Sequence, residues 1–139
     1  MKNSQKISEW FLRLGLAGTY LYSGYDLFMH PSAWHWAIRP LPEFIQGIIN
    51  SFGIDQYLRI QGASELFFAL LFLLWFLPRP IVRIVTLLAA LEMASILLFV
   101  GIGGDTFRDI GLLGAALALA AIPSKENNRS SNVQNPSQK

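Results

Sequence analysis

Cysteine is absent from the 139-residue chain, which excludes disulfides, thiolate nucleophiles and cysteine-ligated metal centres. Charge is scarce. Charged residues make up 14% of the chain, against about 25% in an average soluble domain. The net charge of +2 is too small for a phosphate-binding surface, so nucleic acid is not an expected partner. His30 and His35 lie near no acidic pair at ligand spacing, and no metal site is expected. A glycine-rich nucleotide-binding motif is also missing. Together these absences leave no covalently bound cofactor to assign. They also leave no catalytic residue to name.

What the chain does have is apolar sequence, 53% of its residues, gathered into long runs. A membrane-crossing helix needs about 20 predominantly apolar residues. Four runs approach that length: 10–28, 57–77, 81–102 and 106–122. His30-Pro31 ends the first, because the residue before proline resists the helical conformation. Pro78-Arg79-Pro80 separates the second from the third, and Gly101-Ile102-Gly103-Gly104 separates the third from the fourth. Lys2 and Lys6 mimic the start of a secretory leader, but Arg13 interrupts the run and no small-residue cleavage site follows. The first run is therefore expected to be retained as a helix. The expected fold class is all-α, a four-helix transmembrane bundle, with residues 1–8 as its N-terminal extension and 9–123 as its membrane domain.

One long connection, 30–56, joins the first two spans. Within it, residues 41–52 place Phe44, Ile45, Ile48, Ile49 and Phe52 on one helical face, with Glu43, Gln46, Asn50 and Ser51 opposite. This pattern predicts a short interfacial amphipathic helix between spans one and two, with Trp34 and Trp36 at the same level. It would act either as a lid over a pocket or as an interfacial anchor. The tail, 124–139, has a single apolar residue and is expected to be disordered.

Basic residues set the orientation. Lys2, Lys6, Arg13, Arg79, Arg83, Lys125, Arg129 and Lys139 fall on one side of the four spans, and Arg39, Arg59 and Arg108 on the other. The expected localisation is a multi-pass cell-membrane protein with both termini cytoplasmic. Small residues predict the helix contacts: Gly15, Gly18 and Thr19 on the first span, Gly62, Ala63 and Ala69 on the second, Ala90, Ala94 and Ser95 on the third. On the fourth they are the pairs Gly111–Ala115 and Gly114–Ala118.

Ionisable side chains within apolar runs are the strongest functional signal, since an unpaired charge in hydrocarbon costs about 3 kcal/mol or more. In the orientation above, Asp26, Arg59, Gln61, Glu65, Glu92, Arg108 and Asp109 crowd into the outer half of the bundle and form the candidate polar pocket. Tyr22 is placed to reach Asp26, four residues on. Arg59 or Arg108 is expected to neutralise a carboxylate on a neighbouring span. Such a cluster either fixes helix register through buried ion pairs or lines a cavity for a polar head, a proton or an ion.

The string Phe11-Leu-Arg-Leu-Gly-Leu16 with Gly24 downstream resembles the first helix of the DoxX-like family. Gly62-Ala-Ser-Glu65-Leu66 resembles that family's second-helix opening. Phe107-Arg-Asp-Ile-Gly-Leu-Leu112 with its alanine-rich continuation resembles the fourth helix, and His30-Pro31 followed by tryptophan also fits. The likeness spans residues 9–122 and matches Arg13, Glu65, Arg108 and Asp109 to family-like positions. It departs at Asp26, where many members carry lysine, and at Ala69, often glycine. The resemblance implies a small accessory or quinone-interacting subunit of a membrane redox system, with quinone contact at Glu65 and Arg108. It implies partners in the lipid bilayer, either other membrane subunits or a homo-oligomer. The polar residues alone also allow a small proton or solute transporter or channel, and the small-residue faces a structural partner for another membrane protein.

Overall fold

The computed structural model describes residues 2–104 and 106–122, so the tail expected to be disordered lies outside the described residues. Among the described residues the chain is all helical, without strands. α1 spans Lys2–Met29, a 3₁₀ segment follows at Pro31–Ala37, and then α2 (Glu43–Phe52), α3 (Ile54–Leu73), α4 (Arg79–Phe99) and α5 (Arg108–Ala121).

Proline and glycine set these boundaries. His30, ahead of Pro31, leaves the helical region (φ −127°, ψ 54°) and stops α1. Pro42 precedes α2, whose Gln46 side chain donates to the carbonyls of Arg39 (3.0 Å) and Leu41 (2.7 Å) and ties the turn to the helix. Gly53 alone links α2 to α3 at φ +89°, a backbone conformation that strains residues bearing a Cβ. Pro80 sits in the first turn of α4, where its missing N–H costs nothing. The second apolar run ends as helix at Leu73 rather than continuing to Leu77. Leu74 is extended (φ −71°, ψ 108°), and Arg13 donates to the carbonyls of Phe72 (2.8 Å) and Leu74 (2.5 Å) at this end.

α1 packs along α3 and α4 along α5, with lighter contacts from α1 to α5 and from α3 to α4, closing a four-membered ring. The α1–α3 crossing is very close. A Cβ added at Gly24 would lie 2.8 Å from the Gly62 carbonyl oxygen, and one at Gly62 would lie 2.7 Å from the Gly24 oxygen. Ala69 and Ala90 are buried in the core and Ala115 packs against it, as expected, but other small residues depart. Gly15, Gly18, Gly111 and Gly114 have no atom within 4 Å of a built Cβ, and Ala63 and Ala118 are exposed. α5 instead buries Ala116, Leu119 and Ala120.

One helix, α4, is long and apolar enough to cross a membrane on these grounds alone, with a mean hydropathy of 2.2. Only 33% of its apolar stretch is buried, whereas the core helix of a soluble protein would be mostly enclosed. α1 carries Lys2, Lys6, Glu9 and Arg13 in its first half, α3 carries Asp55, Arg59 and Glu65, and α5 has 14 residues.

The core has two parts. Towards the inner end, defined by the start of α1 and the 74–78 turn, Leu16, Phe72, Val82, Val85, Ala116 and Leu119 form a continuous apolar cluster. Towards the outer end, Leu27, Ile38, Ile49 and Leu58 join α1, the connection, α2 and α3.

Candidate functional site

Between the α1/α3 and α4/α5 pairs, in the outer half, lies a cavity of about 350 Å³. Its walls are Leu27, Leu58, Met93, Ile96, Phe99 and Leu112, and its roof is Trp34, Trp36, Ile38, Leu41 and Ile45 from the connection. The amphipathic face of α2 is therefore divided. Ile45 and Ile49 turn inward, while Phe44 and Phe52, each 71% exposed, face outward.

Five of the seven expected pocket residues line this cavity: Gln61, Glu65, Glu92, Arg108 and Asp109. Asp26 and Arg59 do not. Asp26 lies in the junction between α1 and the 3₁₀ segment, bonded to His30 Nδ1 (3.0 Å) and accepting from Trp34 Nε1 (2.9 Å). Tyr22, expected beside it, is exposed. Arg59 is exposed, its guanidinium carbon 6.0 Å from the centre of the Phe28 ring. A second pair, His35 Nε2 and Asp55 Oδ1 at 2.5 Å, fixes the roof to the first turn of α3.

The buried acids are held mainly by neutral donors rather than by arginines on other helices. Ser23 donates to Glu65 Oε2, Gln61 Nε2 donates to Glu92 Oε1, and the Tyr20 hydroxyl donates to Glu92 Oε2 at 2.8 Å. Glu92 thus links α1, α3 and α4 through its two oxygens. α1 and α4 stand diagonally across the ring, and Tyr20 bridges them with a side chain that is fully buried. Its ring packs edge-on against Phe68, with centroids 5.6 Å apart. The Gly24–Gly62 crossing brings Ser23 within reach of Glu65, because a Cβ at either position would push α1 and α3 apart.

Asp109 differs from the two glutamates. Its side chain is 9% exposed and makes no hydrogen bond, and its ion-pair contact, Arg108 Nε, is 3.8 Å away. Arg108 itself is 44% exposed at the cavity rim. The turn before α5 is fixed by Thr106, whose hydroxyl donates to the Gly101 carbonyl (2.6 Å) and accepts from the Gly103 amide (2.8 Å).

Arg13 belongs to a different place. Only 3% exposed, it closes the inner end of α3 through the Phe72 and Leu74 carbonyls, with Glu9 at 3.8 Å and the Trp10 ring at 4.7 Å. Glu9 also meets Arg79 at 3.4 Å, an ion pair between helices at the inner end.

Tyr20, Ser23 and the roof tryptophans are site residues that charge-based reading missed. A signal existed in the spacing of Leu16, Tyr20, Ser23 and Leu27, which puts all four on one helical face. Among the described residues no cluster of three or more metal-ligating side chains occurs. No protein-family model, curated protein or solved structure matches the chain.

Proposed function

We propose that the chain is a four-span membrane protein of DoxX-like type whose outer-half cavity binds an amphipathic ligand. In this reading it serves a membrane redox system as a small, quinone-interacting accessory subunit. The observation that carries the reading is the cavity itself. Gln61, Glu65, Glu92, Arg108 and Asp109, from three helices, meet within apolar walls under a roof holding two tryptophans. Its volume lies in the range typical of small-molecule sites.

Surface chemistry supports the bilayer. Large apolar side chains are exposed along the helices: Leu21 on α1, Ile60 and Phe67 on α3, Leu91 and Leu98 on α4, Leu117 on α5. A water-soluble monomer rarely exposes so much apolar area. Arg13 and Glu65 are buried with hydrogen-bond partners, and Thr19, Ser64 and Ser95 return their hydroxyls to carbonyls of their own helices. These arrangements satisfy polar groups without water. From Trp10 to Met29, α1 covers about 30 Å at helical rise, as does α3.

Conduction through one copy of the chain is disfavoured by the inner half. The cavity's hydrogen-bond network ends at Tyr20, and below it Leu16, Phe72, Val85 and Leu119 fill the bundle, where Thr86 returns its hydroxyl to the Val82 carbonyl. A pocket closed at its inner end suits binding better than passage.

The test is titration of a short-tailed quinone into the purified protein in lipid nanodiscs, followed by quenching of tryptophan fluorescence, since Trp34 and Trp36 line the site. Saturable quenching is expected, weakened at least about tenfold by Arg108→Ala, the loss of one hydrogen bond from a charged donor, and altered by Glu65→Gln, which exchanges an acceptor for a donor. Binding unchanged in both variants would remove the cavity from the reading. Exposed Gly111, Gly114 and Ala118 favour a second reading, a helix-packing partner for another membrane protein. Co-purification of a stable partner that Gly114→Leu releases would support it.

A further inference from the structure

We propose that this cavity selects ligands whose polar head donates hydrogen bonds, a neutral hydroxyl in preference to a carbonyl or an ether. The inference rests on the binding role proposed above and goes further by assigning the chemistry of the head.

The assignment follows from which lining groups still have hydrogen-bonding capacity. Most donors are already committed within the protein. Thr19 gives its hydroxyl to the Gly15 carbonyl, Ser95 to Leu91, Thr106 to Gly101 and Ser23 to Glu65. Trp34 Nε1 is used by Asp26, and the Gln61 amide donates to Glu92. Acceptors are in surplus. A carboxylate oxygen accepts about two hydrogen bonds, so both oxygens of Glu92 and Oε2 of Glu65, each with one donor, retain room.

Asp109 is the decisive residue. Its side chain is nine-tenths buried, it lines the cavity, and it makes no hydrogen bond. Yet among the described residues no fully enclosed side-chain oxygen or nitrogen lacks a partner. The remaining accessible surface of the Asp109 carboxylate therefore opens on the cavity, where an incoming hydroxyl reaches it.

The uncommitted donors sit nearer the rim. Trp36, whose indole N–H makes no hydrogen bond among the described residues, is in the roof, Tyr57 is in the first turn of α3 and Arg108 is the first residue of α5. Glu65 stands 11 residues into α3, about 16 Å from its start at helical rise. Asp109, next to Arg108, lies near this same outer end, so a hydroxyl head meets Asp109 there or Glu65 and Glu92 deeper in, and accepts from Tyr57 or Arg108. Three carboxylates in the lining attract an ammonium head as well, and the redox-active ring of the binding role makes the hydroxyl the relevant donor. Among redox-active rings, the dihydroxy form should bind more tightly than its dione.

A matched pair isolates the donor without redox chemistry: 4-octylphenol and its methyl ether, titrated separately into the nanodisc-embedded protein. The phenol should bind at least about tenfold more tightly, the effect of one hydrogen bond to a charged acceptor. Asp109→Asn, which replaces one acceptor oxygen by a donor, should reduce that ratio to near unity. Glu65→Gln should shrink the ratio by a smaller factor. Equal binding of phenol and ether to the unmodified protein, or tighter binding of the ether, overturns this inference and leaves the binding role standing. If neither compound binds and the short-tailed quinone also fails, the binding role falls with it. The comparison on the unmodified protein needs no variant to fold.

Discussion

The inner and outer halves of this bundle are built from the same four helices but solve different packing problems. In the inner half, Leu16, Phe72, Val82, Val85 and Leu119 fill the space between helices, and a single arginine, Arg13, satisfies the carbonyls where α3 ends. In the outer half the helix pairs leave a cavity of about 350 Å³, and a separate covering segment roofs it. The polar groups differ in kind as well. Charges at the inner end meet opposite charges, as Glu9 meets Arg13 and Arg79. The two glutamates at the cavity are held by a serine, an amide and a phenol. A charge–charge pair is self-sufficient. Carboxylates held by neutral donors keep spare acceptor capacity, and that capacity is what a ligand can use.

The sharpest way to break the comparison is at the crossing that both halves share. Gly62→Leu should abolish folding, because its first added carbon would fall 2.7 Å from the Gly24 oxygen and 2.7 Å from the Phe28 nitrogen, both backbone atoms. Loss of a monodisperse peak on size exclusion in detergent would report it. Gly111→Ala, which meets nothing within 4 Å, is the control and should behave as the parent.

Two leucines on α1 test the halves directly. Leu16 is 1% exposed within the inner cluster, and Leu27 is 4% exposed on the cavity wall. Leu16→Ala opens a new void and should cost about 4 kcal/mol, whereas Leu27→Ala only enlarges an existing one and should cost about 2 kcal/mol. Reversible unfolding in mixed micelles gives both values. Equal costs would mean that the outer half is packed as tightly as the inner half.

Arg13→Ala should cost about 2 kcal/mol by leaving two carbonyls without their donor and removing one of the two arginines beside Glu9. Arg59→Ala, which touches only a ring face at 6.0 Å, should stay within about 0.5 kcal/mol. The same unfolding assay separates them. An intermediate effect, about 1 kcal/mol, is expected for Tyr20→Phe, since it removes one hydroxyl from Glu92 and keeps the ring against Phe68. Its diagnostic value lies in ligand binding. Freed of one donor, Glu92 should hold a hydroxyl-bearing ligand more tightly, measured by the phenol titration.

The helices were legible in the chain to within about four residues, because prolines and glycines mark the ends of apolar runs, except that α1 begins at Lys2 and takes in most of the expected 1–8 extension. Five of the seven pocket residues were legible too, since charges in apolar sequence are rare enough to stand out. Asp26 and Arg59 were misplaced for a definite reason. Residue spacing gives height along a helix but leaves the facing of each helix open, and both residues turn away from the cavity. The same limit explains why Gly111 and Gly114 were assigned to a contact face and lie exposed, while Gly24, the partner of Gly62, was not singled out as a contact.

The sequence by itself determined the helical class, the main breaks between helices and the concentration of polar groups towards one end, because these follow from local backbone preference and from the cost of charge in apolar surroundings. The tertiary structure alone decided which acids share a cavity, that neutral side chains on other helices hold the glutamates, and that Asp109 remains without a hydrogen bond. Those outcomes depend on how the helices rotate about their axes. That rotation is set by the close approach of two glycines on different helices, a contact that no single segment encodes.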